Sequence, residues 1–412
     1  METWKKIRLG SACRTNTDSY SPKEKWDFVN YLDTGNITNN TIDSIQFIDL
    51  TKEKLPSRAR RKVRTDSIVY STVRPNQHHF GIIKSQPENF LVSTGFTVID
   101  VDTNVLNADF LYYLLTQNTL VEALHAIAEQ STSAYPSIKT SDIENLEIEI
   151  PDVLTQKKIA NILNSLDGKV TQNNEINKNL EQQAQAIFKE WFIDNPENNE
   201  WSTGTFSELI KSTLNGDWGK EAPTGNNTEK VYCIRGADIP EVKAGNKGKM
   251  PTRYILPKNF ATKQLTAGDI VVEISGGSPT QSTGRCTAIT QSLLDRYDSG
   301  MVCTNFCKAM KPKEGYSLFI YYYWQYLYGK GVFFSYENGT TGIKNLDFSG
   351  FIETETILIP PVDKVIAFDD YCKQIFNQIF ANGKQNEHLA VLRDTLLPKL
   401  MSGELDVSDV DL

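Results

Sequence analysis

The feature that most constrains this chain is an internal duplication. Five short segments of the first half recur in the second half in the same order, at offsets of 202 to 210 residues. The pairs are Asp66–Tyr70 with Gly268–Val272, Leu91–Phe96 with Met301–Phe306, Phe110–Leu114 with Phe319–Tyr323, Ser137–Lys139 with Gly342–Lys344, and Ile148–Pro151 with Leu358–Pro361. Repeats that keep their order indicate two copies of one structural unit. We therefore expect two similar globular modules.

A long helical pattern follows each copy. Apolar residues recur at steps of three and four from Thr155 to Phe192, and again from Val365 onward. Each stripe fits either a helix on a domain core or a coiled-coil seam. The seam is favoured because the chain holds two such helices. Asn173 and Asn386 are then register-setting polar positions. The predicted seam consists of Ile159, Leu163, Leu166, Val170, Asn173, Ile176, Leu180, Ile375, Ile379, Asn386, Leu389, Leu392 and Leu396.

These features predict a mixed α+β fold with an internal pseudo-two-fold duplication. Two similar globular modules are separated by two long antiparallel coiled-coil helices. The predicted boundaries are residues 1–151 for the first module, 152–195 for the central spacer helix, 196–361 for the second module, and 362–412 for the C-terminal spacer helix and tail.

Charge and composition narrow the function classes. The net charge is −8, but the acidic excess lies mainly outside residues 201–360, which carry 17 basic and 15 acidic groups. A nucleic-acid contact is therefore allowed only where basic residues cluster locally. Six scattered cysteines and four histidines form no zinc-ligand pattern, so we expect no metal. We also expect a cytoplasmic protein, because no signal peptide or membrane-spanning run occurs.

The motifs of a DNA-modifying enzyme are missing from the sequence. The nearest approach to the Asn/Asp-Pro-Pro-aromatic loop of an amino-methyltransferase is Asn195-Pro196-Glu197, which lacks the second proline and the aromatic ring. The glycine-rich segment 276–285 does not have P-loop spacing. The sequence also contains no convincing example of the nuclease pattern, in which an Asp is followed by Glu-x-Lys. The sequence therefore predicts a chain that catalyses no reaction.

The helical segments resemble the spacer regions of type I restriction–modification specificity subunits. The resemblance is carried by Gln156–Asp167, Asn173–Glu181, Gln185–Phe192 and Leu392–Leu405. The opening Trp4–Gly10 and the Ile-Pro or Pro-Pro that ends each module also fit. The resemblance covers the whole chain in architecture, is specific in the helices, and is loose inside the modules.

The resemblance implies that each module is a target-recognition domain that reads one half of a split, asymmetric site in double-stranded DNA. It also implies that two methylation subunits bind this chain and that restriction (motor-nuclease) subunits join for cleavage. S-adenosylmethionine, ATP and magnesium would belong to those partners, and this chain would hold no cofactor.

Basic and amide side chains mark candidate DNA contacts in the first module, because lysine and arginine bind phosphates and amides read base edges. A basic run is expected to form a phosphate-binding loop, and a polar loop follows the strand at Asp66–Tyr70. Solvated surface loops are the alternative for both. The candidates are Arg58, Arg60, Arg61, Lys62, Arg64, Arg74, Asn76, Gln77, His78 and Lys139.

The second module has its own polar loop at the corresponding place, Ser275–Arg285. Its two adjacent glycines suit close approach to a DNA backbone, and Lys344 is expected to be equivalent to Lys139. The candidates are Ser275, Ser278, Thr280, Gln281, Arg285, Thr341 and Lys344. The aromatic run Tyr321–Tyr328 is interpreted as a core helix and not as a base-stacking surface.

Two other function classes stay open from the residues alone. The chain could be a self-contained DNA-modifying enzyme with a diverged site, or a duplicated scaffold protein that does not bind DNA. Transfer of methyl groups by the chain alone would favour the first of these, and absence of salt-sensitive DNA binding would favour the second.

Overall fold

The computed structural model describes residues 4–131, 135–278, 280–339 and 342–410. The chain forms two compact units. Unit 1 is Met1–Gly168 together with Ala390–Leu412, and unit 2 is Lys169–Leu389.

Unit 1 combines short strands with three short helices and parts of two long ones. Its strands are β1 (Lys5–Arg8), β2 (Cys13–Thr15), β3 (Phe28–Leu32), β4 (Ile37–Thr38), β5 (Thr41–Ile42), β6 (Gln46–Asp49), β7 (Ala59–Arg61), β8 (Ser67–Ser71), β9 (Phe80–Ile83), β10 (Phe90–Ser93), β11 (Phe96–Val101) and β12 (Glu147–Ile150). Its helices are α1 (Ala108–Leu115), α2 (Asn118–Glu129), α3 (Thr140–Glu144) and the first part of α4 (Val153–Phe188).

Unit 2 repeats this composition. Its strands are β13 (Ser202–Thr205), β14 (Ile210–Asn215), β15 (Glu229–Ile234), β16 (Thr252–Ile255), β17 (Ile270–Glu273), β18 (Ser275–Gly276), β19 (Cys286–Ala288), β20 (Gly300–Cys303), β21 (Cys307–Pro312), β22 (Glu337–Asn338), β23 (Lys344–Leu346) and β24 (Thr356–Ile359). Its helices are α5 (Phe206–Leu209), α6 (Ile239–Lys243), α7 (Pro257–Lys263), α8 (Gln291–Leu294), α9 (Ser317–Gly329), α10 (Phe348–Thr354) and most of α11 (Val362–Met401).

The sheet order confirms the duplication. The first and last strands of each module pair antiparallel, β1 with β12 and β13 with β24. A four-stranded sheet follows in each unit, in the order β2-β11-β8-β9 and β14-β21-β17-β19. A second sheet contains the parallel pairs β3 with β10 and β15 with β20. The mixed α+β fold with two similar modules is therefore present.

The repeated segments occupy matching elements. All five residues of β8 are buried, and so are all four of β17, as expected of β-branched runs. The aromatic run lies in α9, where Tyr321, Tyr322 and Trp324 are at most 1% exposed. Its interpretation as a core helix is correct.

The first long helix begins where its sequence predicts a start. Asp152 follows Pro151, and its carboxylate accepts hydrogen bonds from the backbone N–H groups of Leu154 (2.8 Å) and Thr155 (3.2 Å). A carboxylate at this position satisfies N–H groups that lack helical partners. The side-chain hydrogen bond from Thr155 is the main cause that lowers the pKa of Asp152. The α-helix ends at Phe188, and a π-helical turn continues to Ile193.

Within unit 2, α4 and α11 run antiparallel. The Asn173 amide donates to Asn386 Oδ1 at 2.8 Å, and one turn further along α4 the Asn382 amide donates to Asn177 Oδ1 at 2.8 Å. The residue numbers of the paired asparagines rise along α4 while they fall along α11, as in antiparallel helices. All four asparagines are buried, so each amide needs such a partner.

Within unit 1, the same two helices meet at an ion pair. Asp167 of α4 lies 2.8 Å from Arg393 of α11. The Tyr113 hydroxyl of α1 donates to the other carboxylate oxygen of Asp167 at 2.8 Å. The three side chains tie the first module to both helices.

The predicted seam residues differ in exposure. Ile159, Leu163, Asn173, Ile375, Ile379 and Asn386 are buried, whereas Leu166, Val170, Leu180, Leu389 and Leu396 are half-buried. Placing Ile176 and Leu392 in the seam was wrong, because they are 37% and 45% exposed. Buried Asn177 takes the inner position beside Ile176, and half-buried Arg393 takes the one beside Leu392.

No helix in the described ranges is long and apolar enough to cross a bilayer.

Candidate nucleic-acid interface

In unit 1, backbone hydrogen bonds join the segments that the sequence singles out. The Thr72 N–H, just after β8, donates to Gly95 O at 2.8 Å, and the Ile138 N–H donates to Thr72 O at 2.9 Å. The Thr94 N–H donates to Arg58 O at 2.8 Å. The basic run, the turn between β10 and β11, the loop after β8 and the segment before α3 therefore meet at one place.

Unit 2 repeats this arrangement. The Ile274 N–H, just after β17, donates to Phe306 O at 2.9 Å in the turn between β20 and β21. The Leu346 N–H then donates to Ile274 O at 2.8 Å. We call this pattern the loop relay: in each unit it holds the loop after the buried strand between a turn and the segment before a short helix.

The basic run of unit 1 is not a simple loop, because Ala59–Arg61 form the edge strand β7, which pairs with β10. Arg58 and Arg60 are exposed and suit phosphate contacts. Arg61 is half-buried, and burial lowers the pKa of its guanidinium.

Two other cations of this run have intramolecular acidic partners. The Lys62 ammonium lies 2.6 Å from Glu24, a hydrogen bond that raises the pKa of Lys62. The Arg64 guanidinium lies 3.1 Å from buried Asp100 but keeps 66% of its side chain exposed. Arg64 therefore remains accessible to a ligand, whereas Lys62 is largely engaged.

The loop after β8 presents four more candidates of unit 1, Arg74, Asn76, Gln77 and His78, while exposed Lys139 lies at the start of α3. Arg74 and His78 have φ angles of 47° and 56° and flank a single 3₁₀ turn, Pro75–Gln77. Asn76 and Gln77 on this turn are exposed, as recognition of base edges requires. The Arg74 guanidinium stacks over the ring of Tyr135, with its carbon 5.4 Å from the ring centre.

In unit 2, side chains of α9 hold the loop Ser275–Arg285 by hydrogen bonds to its backbone. The Trp324 indole donates to Gly284 O at 2.7 Å, and the Tyr328 hydroxyl donates to Ser282 O at 3.0 Å. Ser275 begins a three-stranded sheet in which β18 pairs with β23, and β23 with β22. The candidates Thr280 and Gln281 are exposed, while Ser278 is half-buried.

Arg285 has a structural partner that the sequence did not indicate. Its Nε and Nη2 donate to the two carboxylate oxygens of Glu273, at 2.8 and 2.7 Å. Glu273 is only 5% exposed. The hydrogen bond to Glu273 is the main cause that raises the pKa of Arg285. One edge of the guanidinium is thus committed to the protein, so its candidate role in DNA binding is confined to the other edge.

Lys344 is similarly engaged. Its ammonium lies 2.7 Å from Glu337 and 5.2 Å from the ring centre of Phe334. Burial opposes ionisation of Glu337, but hydrogen bonds from Lys344 and Thr283 outweigh it and lower the pKa of Glu337. The candidate Thr341 lies outside the described residues.

The predicted equivalence of Lys139 and Lys344 is wrong. Lys139 is the N-cap residue of α3, whereas Asp347 holds that place before α10. The loop relay equates Ile138 with Leu346, three positions after the residue that the sequence match implies. The second copy contains the β22–β23 hairpin, which shifts its register at this point. Residues that match in sequence therefore occupy positions that are not structurally equivalent.

The described residues contain no group of three His, Cys, Asp or Glu side chains that could hold a metal ion. The arrangement is instead one of polar loops held by buried strands, with exposed cations and amides in unit 1 and with exposed Thr280 and Gln281 beside partly engaged cations in unit 2. Such surfaces bind polyanions and read hydrogen-bonding patterns. The fold and the loops together define a duplicated recognition protein.

Comparison with known proteins names the class more closely. Residues 1–182 match the model of the type I restriction modification DNA specificity domain. The chain is 34% identical over 194 residues to the type I restriction enzyme HindI specificity subunit of Haemophilus influenzae, a match that spans 47% of this chain and 42% of that relative. It is 26% identical to the type I restriction enzyme MjaIX specificity subunit of Methanocaldococcus jannaschii, over 98% of this chain and 94% of that protein.

A solved structure agrees in fold. The crystal structure of the type I restriction–modification system S subunit from M. genitalium superposes with a TM-score of 0.56 at 16% identity, covering 97% of this chain and 96% of that one. The resemblance noted in the sequence is confirmed, because the family model over residues 1–182 and both relatives belong to type I restriction–modification specificity subunits.

Proposed function

We propose that this chain recognises a bipartite, asymmetric site in double-stranded DNA, each unit reading one half. The loop relay is the observation that carries the proposal. It occurs in both units and gathers the predicted contact segments at corresponding places. Two copies of one surface with different loop sequences are suited to reading two different half-sites.

We further propose that the chain acts without catalysis of its own, as the subunit on which two methylation subunits and the restriction subunits assemble. S-adenosylmethionine, ATP and magnesium would be held by those partners. The family relationship and the absence of catalytic motifs from the sequence support this division of labour.

A selection experiment tests DNA recognition. The purified full chain is incubated with a library of random duplexes, and bound sequences are enriched and read. We expect two short defined elements separated by a spacer of undefined sequence. Enrichment of one continuous element would contradict the bipartite site, and no enrichment would favour the scaffold alternative.

A labelling experiment tests the absence of catalysis. The full chain is incubated with the selected duplex and S-adenosylmethionine that carries a radioactive methyl group. We expect no label in the DNA until methylation subunits are added. Label incorporated by the chain alone would identify it as a self-contained enzyme.

A further inference from the structure

The turn between β20 and β21 presents an aromatic ring to solvent. The Phe306 side chain is 60% exposed; the preceding Asn305 is exposed as well, and the following Cys307 is 0% exposed. Among the described residues, no aromatic ring packs against it closely enough to form a ring pair. Single exposed apolar side chains are common on protein surfaces, so the informative feature of this ring is its place among the candidate DNA-binding loops.

The backbone that carries this ring is firmly held. Phe306 O accepts hydrogen bonds from the N–H groups of Ile274 (2.9 Å) and Ser275 (3.2 Å). Its own N–H donates to Thr304 Oγ1 at 3.1 Å. The ring therefore projects from a fixed point, and that point is part of the loop relay.

Unit 1 has a different residue at the equivalent point. Gly95 O accepts the hydrogen bond that Phe306 O accepts in unit 2, so the structure pairs Phe306 with Gly95, one position before the Phe96 that the sequence match implies. A Cβ atom on Gly95 would lie 2.8 Å from Thr34 Cγ2, so the first unit has no space for a side chain in that direction. The exposed ring is thus a feature of unit 2 alone among the two relay points.

One half-buried lysine, whose ammonium lies 5.2 Å from the ring centre of Phe348, follows the exposed ring in the sequence of unit 2. Lys308 follows two residues later, so it and Phe306 flank the inward-facing Cys307. The loop Ser275–Arg285, which supplies hydroxyls and amides, is hydrogen-bonded to the Phe306 carbonyl. An apolar ring near a lysine and a polar loop fits the surface of duplex DNA, where apolar wedges enter between base pairs and cations neutralise phosphates.

We propose that Phe306 inserts between two base pairs of the half-site bound by unit 2, and unstacks that step. The proposal rests on the proposed DNA recognition and adds its mechanism: unit 2 reads the deformability of a step as well as base edges. Unit 1, with glycine at its relay point, would bind its half-site without insertion.

Fluorescence of 2-aminopurine tests insertion, because the base brightens when it is unstacked. The probe replaces each adenine of the selected duplex in turn, and the full chain is added. We expect a rise at one step of one half-site. Phe306→Ala should abolish this rise and weaken binding by about 5- to 150-fold, the range for loss of an aromatic–base contact. Phe306→Leu, which keeps an apolar wedge, should restore part of both.

A matched control is Phe47→Ala, since Phe47 is 62% exposed but lies on β6, the far edge of the sheet from β7. It should change neither signal, and melting curves should show that all variants fold. DNA binding without a bright step, or a bright step that persists in Phe306→Ala, would overturn insertion and leave DNA recognition intact. Failure of the unmodified chain to bind any duplex would overturn both.

Discussion

At the scale of single residues, ion pairs and hydrogen bonds decide which polar side chains are available to a ligand. The sequence marks Arg285 as a DNA contact by its position in a polar loop. The structure shows that the buried Glu273, at the end of β17, accepts hydrogen bonds from two of its nitrogens. Removal of Arg285 would therefore act on stability as well as on binding.

We expect Arg285→Ala to lower the free energy of unfolding by roughly 1–3 kcal/mol, because it leaves the Glu273 carboxylate buried without its cation. Thermal or denaturant unfolding measures this. Adding Glu273→Gln should recover part of the stability. If the outer edge of the guanidinium binds DNA, the double variant should still bind the selected duplex more weakly. Full recovery of affinity would show that Arg285 acts only inside the protein.

Two buried tyrosines of unit 1 offer a comparison of hydroxyl groups. The Tyr113 hydroxyl donates to Asp167 at 2.8 Å and lies 3.0 Å from Asn164 Oδ1, whereas the Tyr70 hydroxyl is buried with no hydrogen-bond partner within the described structure. Tyr113→Phe should cost about 1–2 kcal/mol of unfolding free energy. Tyr70→Phe should cost nothing or stabilise slightly. Equal losses in denaturant titrations would contradict the role given to Asp167.

At the scale of elements, the two long helices each contain a glycine. The space around these two glycines differs, so replacing them should have opposite effects on stability. A Cβ atom on Gly168 would meet nothing within 4 Å. A Cβ atom on Gly383 would lie 1.9 Å from Gly245 O, where the chain after α6 packs directly on α11. The helices run through both positions, although glycine weakens a helix by about 1 kcal/mol.

We therefore expect Gly168→Ala to raise the free energy of unfolding by roughly 0.5–1 kcal/mol, the gain in helix propensity. Gly383→Ala should lower it by about 1–3 kcal/mol or more, because the methyl group must displace the backbone at Gly245. Chemical denaturation of the two variants checks both signs. A stabilising Gly383→Ala would mean that this contact is looser than the structure shows.

At the scale of the whole molecule, a net charge of −8 requires DNA binding to depend on local cations. Arg58 and Arg60 are exposed cations of the basic run, and the carbonyl of Arg58 is hydrogen-bonded to Thr94 in the turn of the loop relay in unit 1. Lys52 precedes the same run, but its ammonium lies 2.6 Å from Asp49 on β6. Replacing Arg58 or Arg60 on the one hand and Lys52 on the other therefore distinguishes a local phosphate contact from an effect of overall charge.

The salt dependence of affinity tests that distinction. Each phosphate contact contributes about −0.9 to the slope of log K against log salt concentration. Arg58→Ala and Arg60→Ala should each make the slope for the selected duplex shallower by about 1. Lys52→Ala removes the same charge and should leave the slope nearly unchanged. Equal effects of all three would indicate that only overall charge matters.

Much of the fold could be predicted from the sequence, because it depends on order and periodicity. The matched segments predicted two modules, and their β-branched runs and apolar helical stripes predicted buried strands and long helices. Positions that depend on register were less predictable. Ile176 and Leu392 continue the apolar pattern but face outward, and the Lys139–Lys344 match is displaced by three residues.

What the sequence by itself determined is the duplicated architecture and the identity of the polar loops, since repetition and hydrophobic periodicity are properties of the chain alone. Only the tertiary structure decided which loop residues are committed to internal partners, as Arg285 is to Glu273, and which project freely, as Phe306 does. The physical reason is that ion pairing, burial and close backbone approach join residues far apart in the chain. No local pattern encodes those distances.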